Sequence, residues 1–418
     1  SRFLTKLVDA LPLIQTKEIS TITFNGEFAQ LIPGTSNRIN GEGTSYIDDF
    51  ESTVTPFNLG GNPQNWKLAS TPASVNLGAE DPGLAPNFKR GRLAWYVIDN
   101  VFYRDRGRGV PSSITSEDLK NHYVRPVKPK EVFPGRDEDQ LDNYLPIFDL
   151  AYYPAERGQY NYRPDNLNPD GTFRNPAENW GGITRAITSD VDFDKTNIEY
   201  IEFWMMDPFI KNSQYSDIEG IPGEQRTGGK LVFNLGNVSE DVLPDEIHAF
   251  ENGLPANGSA AGNVKTSPWG RMPLAPAAIT KAFDNDAGSR QNQDVGLDGL
   301  KGEEEFSFFF NADNPAPMGL NAEAMARLRA DASSDDFMYF LGPQHDQANA
   351  SILERYKRYN NMENNSPVIG GSNLEYTPVY SSTPDNEDVN NDNTISTLEA
   401  YYEYTVDLNP NSLKVGEG

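Results

Sequence analysis

Apolar residues along this chain come in short bursts separated by Gly, Pro, Asn and Asp, a texture of antiparallel β structure rather than of a parallel α/β sheet. The bursts Tyr46 to Glu51, Trp66 to Ala69, Arg92 to Ile98, Gly182 to Ile187, Glu199 to Met206, Lys230 to Leu235 and Glu304 to Phe310 are β-branched or aromatic and bounded by breakers, so each predicts a strand. Together they predict a mainly β fold: a jelly-roll-like β-sandwich over residues 46–320, with long loop insertions and a few short helices. Thr16 to Pro33 predicts one more strand within residues 1–45, its alternation broken at Gly26 and Glu27, pairing with something outside this chain.

Between residues 99 and 179 the pattern dissolves into Arg, Pro, Tyr and Asn, which reads as an insertion with one short helix from Glu117 to Tyr123 under a Ser116 cap. Its Tyr152, Tyr153, Tyr160 and Tyr162 offer a sugar-stacking or protein-contact surface, or else rings that pack a long loop onto its own domain, the commoner outcome. Gly253 to Thr266 is small and polar, as a flexible loop is. Helical spacing returns at Ala322 to Asp331 and at Gln347 to Tyr359, with Gly342-Pro343 between them, marking residues 321–384 as a short helical region. Residues 385–418 follow as an acidic loop and a C-terminal strand.

Charge narrows the partners. Asp and Glu number 61 against 35 Lys and Arg, a net charge of −26 that repels phosphate backbones and anionic lipid heads. No nucleic-acid partner is expected; a well-solvated surface or cation binding is. The absence of cysteine excludes disulfides, thiolate metal sites and cysteine nucleophiles. No apolar run approaches the ~20 residues of a spanning helix, although a barrel strand needs only about 9 to 11. A length of 418 residues exceeds what one core supports, and both chain ends read as cuts in a longer exported polypeptide.

The sharpest motif runs from Asp388 to Glu399 and fits a calcium-binding EF-hand loop. Asp388, Asn390 and Asp392 occupy ligand positions 1, 3 and 5, the Thr394 carbonyl position 7, Ser396 position 9, and Glu399 the bidentate position 12. Position 6 holds Asn393 in place of Gly, the mildest departure because Asn tolerates the left-handed turn. The competing reading is an Asn/Asp-rich turn. A weaker echo, Asp294 to Glu305, lacks a ligand at Gly296 and reads better as a Gly-rich turn. Asp49 and Glu51 share one face of the Tyr46 to Glu51 segment and form a second candidate calcium pair, as in carbohydrate-binding jelly-roll modules.

Catalytic constellations fare poorly. His122, His248 and His345 lack zinc-site spacing, and neither a nucleophile elbow nor a P-loop nor a dinucleotide fingerprint is present. A glycosidase needs two opposed carboxylates, and nothing singles out a pair. The expectation is no enzyme activity.

A family resemblance then gathers the remaining motifs. Tyr46 to Ser52, Arg90 to Tyr96, Asn121-His122-Tyr123, Leu150 to Pro154 with Glu156-Arg157-Gly158, Asn179 to Ile183, Glu199 to Pro208 and Ile352 to Tyr356 resemble the SprA/Sov family along nearly the whole chain. That family forms the outer-membrane translocon of the type IX secretion system in Bacteroidetes and, in its gliding members, is also needed for motility. The resemblance implies a very large β-barrel with soluble insertions, placing barrel strands near Thr16 to Pro33 and Tyr401 to Val415. It further implies a periplasmic or extracellular insertion with a structural or docking role. Its implied partners are a cargo-collecting outer-membrane protein, a periplasmic plug and secreted cargo, and it transfers no catalytic residues. The alternative reading is a calcium-stabilised carbohydrate-binding module with glycan contact.

Overall fold

The computed structural model describes residues 57–60, 62–75, 83–103, 109–135, 144–188, 191–193, 198–208, 228–255, 264–273, 282–284, 292–293, 295–336, 338–359 and 384–409, with isolated positions at 6, 10, 26, 257 and 289. The chain divides into two compact units, Ser1–Thr55 and Pro56–Gly418, and the elements below belong to the second. The expected strands Thr16 to Pro33 and Tyr46 to Glu51 lie outside the described residues, apart from Gly26.

Among the described residues the strands pair two by two, always antiparallel, and no barrel closes. The pairs are β1 (Lys67–Leu68) with β4 (Ile183–Thr184), β2 (Gly91–Tyr96) with β3 (Asp149–Arg157), β5 (Lys230–Asn237) with β8 (Ala400–Asp407), and β6 (Val264–Ser267) with β7 (Gly270–Pro273). β2 is buried on both faces, which is why its sequence reads as a continuous run. Alternation sends its side chains to two cores. Trp95 joins Tyr162, Trp269, Leu297 and Phe309 in one, while Ala94 and Tyr96 join Phe102, Phe340 and Tyr356 in the other.

β3 was hidden in the segment that reads as an insertion. Pro154 cannot donate to a ladder, and the register breaks there: Arg92 faces Tyr153, while the adjacent Gly91 faces Arg157. The chains then run so close that a Cβ on Gly158 would lie 2.3 Å from the Gly91 carbonyl oxygen. β6 and its partner likewise replace the end of the expected Gly253 to Thr266 loop.

Two expected strands are corrected. Glu304 to Phe309 lies in a helix, α2 (Gly302–Phe309), which Phe310 ends and which follows the short α1 (Pro129–Val132). Three acids in its first turn favour the positive helix end, and Phe306 meets Phe310 one turn on, at 5.4 Å between centroids. These local terms outweigh the β preference of the aromatic run. Glu199 to Met206 runs without ladder partners among the described residues, with Tyr200 and Trp204 exposed.

The helical expectations fare better. α3 (Ala322–Ala330) starts where Asn321 accepts the Ala324 N–H; of the expected Gln347 to Tyr359 helix only α5 (Ile352–Tyr356) forms, while Pro343, expected between the helices, opens a short helix of its own, α4 (Pro343–Gln347), and Asn349 with φ +48° parts the two. The Glu117 to Tyr123 helix shrinks to a 3₁₀ turn, Asp118–Lys120, because Thr115 rather than Ser116 exchanges hydrogen bonds with Asp118. No helix among the described residues is long and apolar enough to cross a membrane.

Candidate functional site

The 388–394 turn folds on its own carboxylates. Asp388 accepts the N–H groups of Asp392 and Asn393 at 3.1 and 2.8 Å, Asn390 accepts that of Asp392 at 2.8 Å, and Asp392 accepts both the N–H and the hydroxyl of Thr394. Asn393 takes the left-handed conformation expected at position 6, with φ +64°. The bonds from Thr394 hold the Asp392 carboxyl below the usual range. The other end departs from the motif: Glu399 accepts the Ser239 N–H at 3.1 Å. Asp388, Asp392 and Glu399 are not among the acidic groups that converge within 4.8 Å.

A second turn of the same design packs against the first. Asp241 accepts the N–H groups of Asp245 and Glu246, Asp245 accepts that of Ile247, and Glu246 has φ +59°. Each Asp is preceded by a Glu that reaches across to the other turn. Glu240 accepts the N–H groups of Val389, Asn390 and Ser396, while Glu387 accepts those of Leu243 and Ala249 at 2.9 and 2.8 Å. Burial, then the nearby Asp241, pushes the Glu387 carboxyl well up, and burial takes Asp241 to about 6. The repeated Glu-Asp dipeptide is the only trace of this exchange in the sequence, and sequence reasoning missed it.

The carboxylates that do converge lie in the core. Asp298, on the turn before α2, Glu305 on α2 and Asp335 place oxygens within 4.8 Å of one another, and Asp331 and Asp336 group similarly with Asp335. Asp298 accepts the Leu300 N–H at 2.9 Å and the Ser333 hydroxyl at 2.5 Å, and Glu305 accepts the Ser333 N–H at 2.7 Å. Asp331 accepts the Asp335 N–H and pairs with Arg358 at 2.9 Å. Burial raises Asp298 to about 7 and Glu305 to about 9, and with the neighbouring carboxylates raises Asp335 well above its ordinary value. Carboxyls this close either share protons or hold a cation. Asp298 and Glu305 sit at positions 5 and 12 of the weaker echo, whose Asp294 lies outside the described residues, and Gly299 turns with φ +66°.

The other candidates scatter. Asp49 and Glu51 lie outside the described residues. Tyr160 and Tyr162 are core rings, Tyr162 stacking on Phe309 at 3.7 Å, so they pack the segment down rather than offer it. Tyr152 is half exposed, and Lys357 sits 4.7 Å over the Tyr153 ring. His122 contacts the Asp207 carbonyl, His248 lies on Phe250, and burial, then the neighbouring Arg355, lowers His345 to about 4.

The β5–β8 ribbon carries Leu231, Phe233, Leu235, Tyr402, Tyr404 and Val406 on one face, because directly opposed residues share a side. Tyr402 is 75% exposed and Tyr404 54%.

Residues 313–418, from the approach to α3 through the 388–399 loop and β8, match the SprA_N family, described as motility related/secretion protein. No curated protein matches the chain.

Proposed function

The chain belongs to the SprA family of motility-related and secretion proteins, and from that premise we propose that it is a non-catalytic, structural and docking segment of the outer-membrane translocon of type IX secretion. The match over residues 313–418 carries this reading. The matched part is tied into the rest of the chain by the β5–β8 ladder and by the Glu240 and Glu387 exchange. In this reading the segment lies at the cell envelope, serves cargo export and gliding, and works beside a cargo-collecting outer-membrane protein, a periplasmic plug and cargo. The exposed tyrosines Tyr402 and Tyr404 support a reading in which β8 lies near barrel strands. Removing residues 228–409 in frame is expected to stop secretion of type IX cargo and gliding while the protein still accumulates; normal secretion would overturn the reading.

Calcium at Asp388, Asn390, Asp392, Thr394, Ser396 and Glu399 belongs to the same proposal. The turn's own hydrogen-bond frame and its left-handed Asn393 support it, and binding would require Glu399 to leave Ser239. Added calcium is expected to raise Tm in the native chain and not in Glu399→Gln. Identical shifts in the two would remove the site.

A further inference from the structure

A cavity of about 510 Å³ opens at the end of the β2–β3 ladder. Such a volume lies within the range of small-ligand sites. The last pair of the ladder is Tyr96 opposite Asp149, so both side chains project from one face, and both line the cavity. Tyr103, Tyr144 and Tyr359 add further rings, and Asp99 is a second lining carboxylate. The frame is held from behind: Tyr96 stacks on Tyr356 at 4.3 Å, Tyr103 meets Tyr144 edge-on at 5.6 Å, and the Tyr103 hydroxyl donates to the Val124 carbonyl at 2.9 Å.

The polarity of this lining is one-sided. Among the described residues Asp149 and Asp99 are its carboxylates, and no Lys, Arg or His lines it. Asp99 accepts the Val101 N–H at 2.7 Å. Asp149 is half-buried against Tyr96 and Tyr103, and no hydrogen bond or ion pair engages its carboxylate among the described residues. A desolvated carboxylate with no donor costs free energy unless a cation or donor enters from outside. The faces of tyrosine rings attract cations as well.

We propose that this cavity binds an organic cation of the size of an arginine or lysine side chain, with Asp149 as its counter-ion and Tyr96, Tyr103 and Tyr144 as its walls. The cation is either a free small molecule or a basic side chain presented by a partner peptide. Burial lifts the Asp149 carboxyl to about 7, so the site is charged above neutrality and emptied by acid. Asp99, Tyr96, Tyr103, Tyr144 and Tyr359 are the other titratable groups lining the cavity among the described residues, and burial and Asp149 hold Tyr96 and Tyr103 as neutral phenols.

The test is calorimetric titration of the whole 418-residue chain with N-acetyl-arginine amide, its neutral isostere N-acetyl-citrulline amide, and the peptide Gly-Gly-Arg-Gly-Gly. The arginine compound is expected to bind at least about tenfold tighter than citrulline near pH 8.5, and to weaken roughly 30-fold by about pH 5.5 as Asp149 takes its proton. Asp149→Asn should lose most of the affinity and its pH dependence, while melting at or above the native temperature near pH 8.5, which shows that it folds. Tyr144→Leu should weaken the arginine compound more than citrulline. Tighter binding of the peptide assigns the site to a partner's side chain; equal or weaker binding assigns it to a free cation. Equal affinity for citrulline, unchanged binding in folded Asp149→Asn, or no saturable binding of either arginine probe overturns the proposal.

Discussion

The loop at 388–399 and the buried trio Asp298, Glu305 and Asp335 are both acidic, yet they are assembled on opposite terms. In the loop, contiguous residues spend their carboxylates on nearby backbone N–H groups, and most of the side chains face water. In the trio, Asp298 and Glu305 from one stretch meet Asp335 from another in the core, with Ser333 donating to two of them and Tyr162 stacked behind on Phe309. Spacing along a sequence therefore specifies the turn, whereas convergence of charge is decided by how separate elements pack.

The largest expected effect separates the two sites directly. Asp298→Ala, which leaves the Leu300 N–H and Ser333 hydroxyl without their acceptor and opens a void, should cost about 2–4 kcal/mol. Asp392→Ala, at the equivalent position of the exposed loop, should leave the denaturation midpoint almost unchanged. Urea titration near pH 5, where the trio keeps its protons, measures both, and equal losses would erase the distinction.

A pH series comes next. The folded-state pKa of Glu305 is raised from its usual 4.5 to about 9, and that of Asp298 from 3.8 to about 7. Groups raised on folding contribute stability that is present below their unfolded values and is lost as pH rises through the folded ones. Tm should therefore fall between about pH 5 and pH 9, and Glu305→Gln, which keeps the shape without the charge, should flatten that fall. Parallel curves for the two chains would show that the trio does not titrate.

Calcium sharpens the same contrast. A rise in Tm with calcium that survives in Asp298→Asn belongs to the loop, and one that disappears there belongs to the trio. The smallest effect is at Asn393, where Gly relieves the left-handed turn: Asn393→Gly should stabilise by about 0.5 kcal/mol, seen as a small shift in urea midpoint.

What the sequence disclosed follows the same division. β2, β5 and α3 were legible because their signals are local: a breaker-bounded apolar run, or a helical spacing opened by Asn321. α2 reads as a strand because its aromatic run carries a β preference, while the acids of its first turn, which favour the helix, precede that run. β3 was hidden by Pro154, which its register accommodates by skipping residues that no one-dimensional pattern reveals. Of the sites, the left-handed Asn393 was foreseen. The capture of Glu399 by Ser239, the crossed Glu240 and Glu387, and the entry of Asp335 beside Asp298 all depend on partners far along the chain.

The crossed glutamates also fix an order of assembly. Glu240 and Glu387 each complete the other's turn, and β5 pairs with a strand that ends at Asp407, so the first half of this structure stays unfinished until nearly the whole described chain has been synthesised. Until then Leu243 and Ala249 lack their acceptors, and β5 shows an open edge. A polypeptide of this design must be kept from pairing with strangers while it waits, and the step most exposed to failure is its own biogenesis.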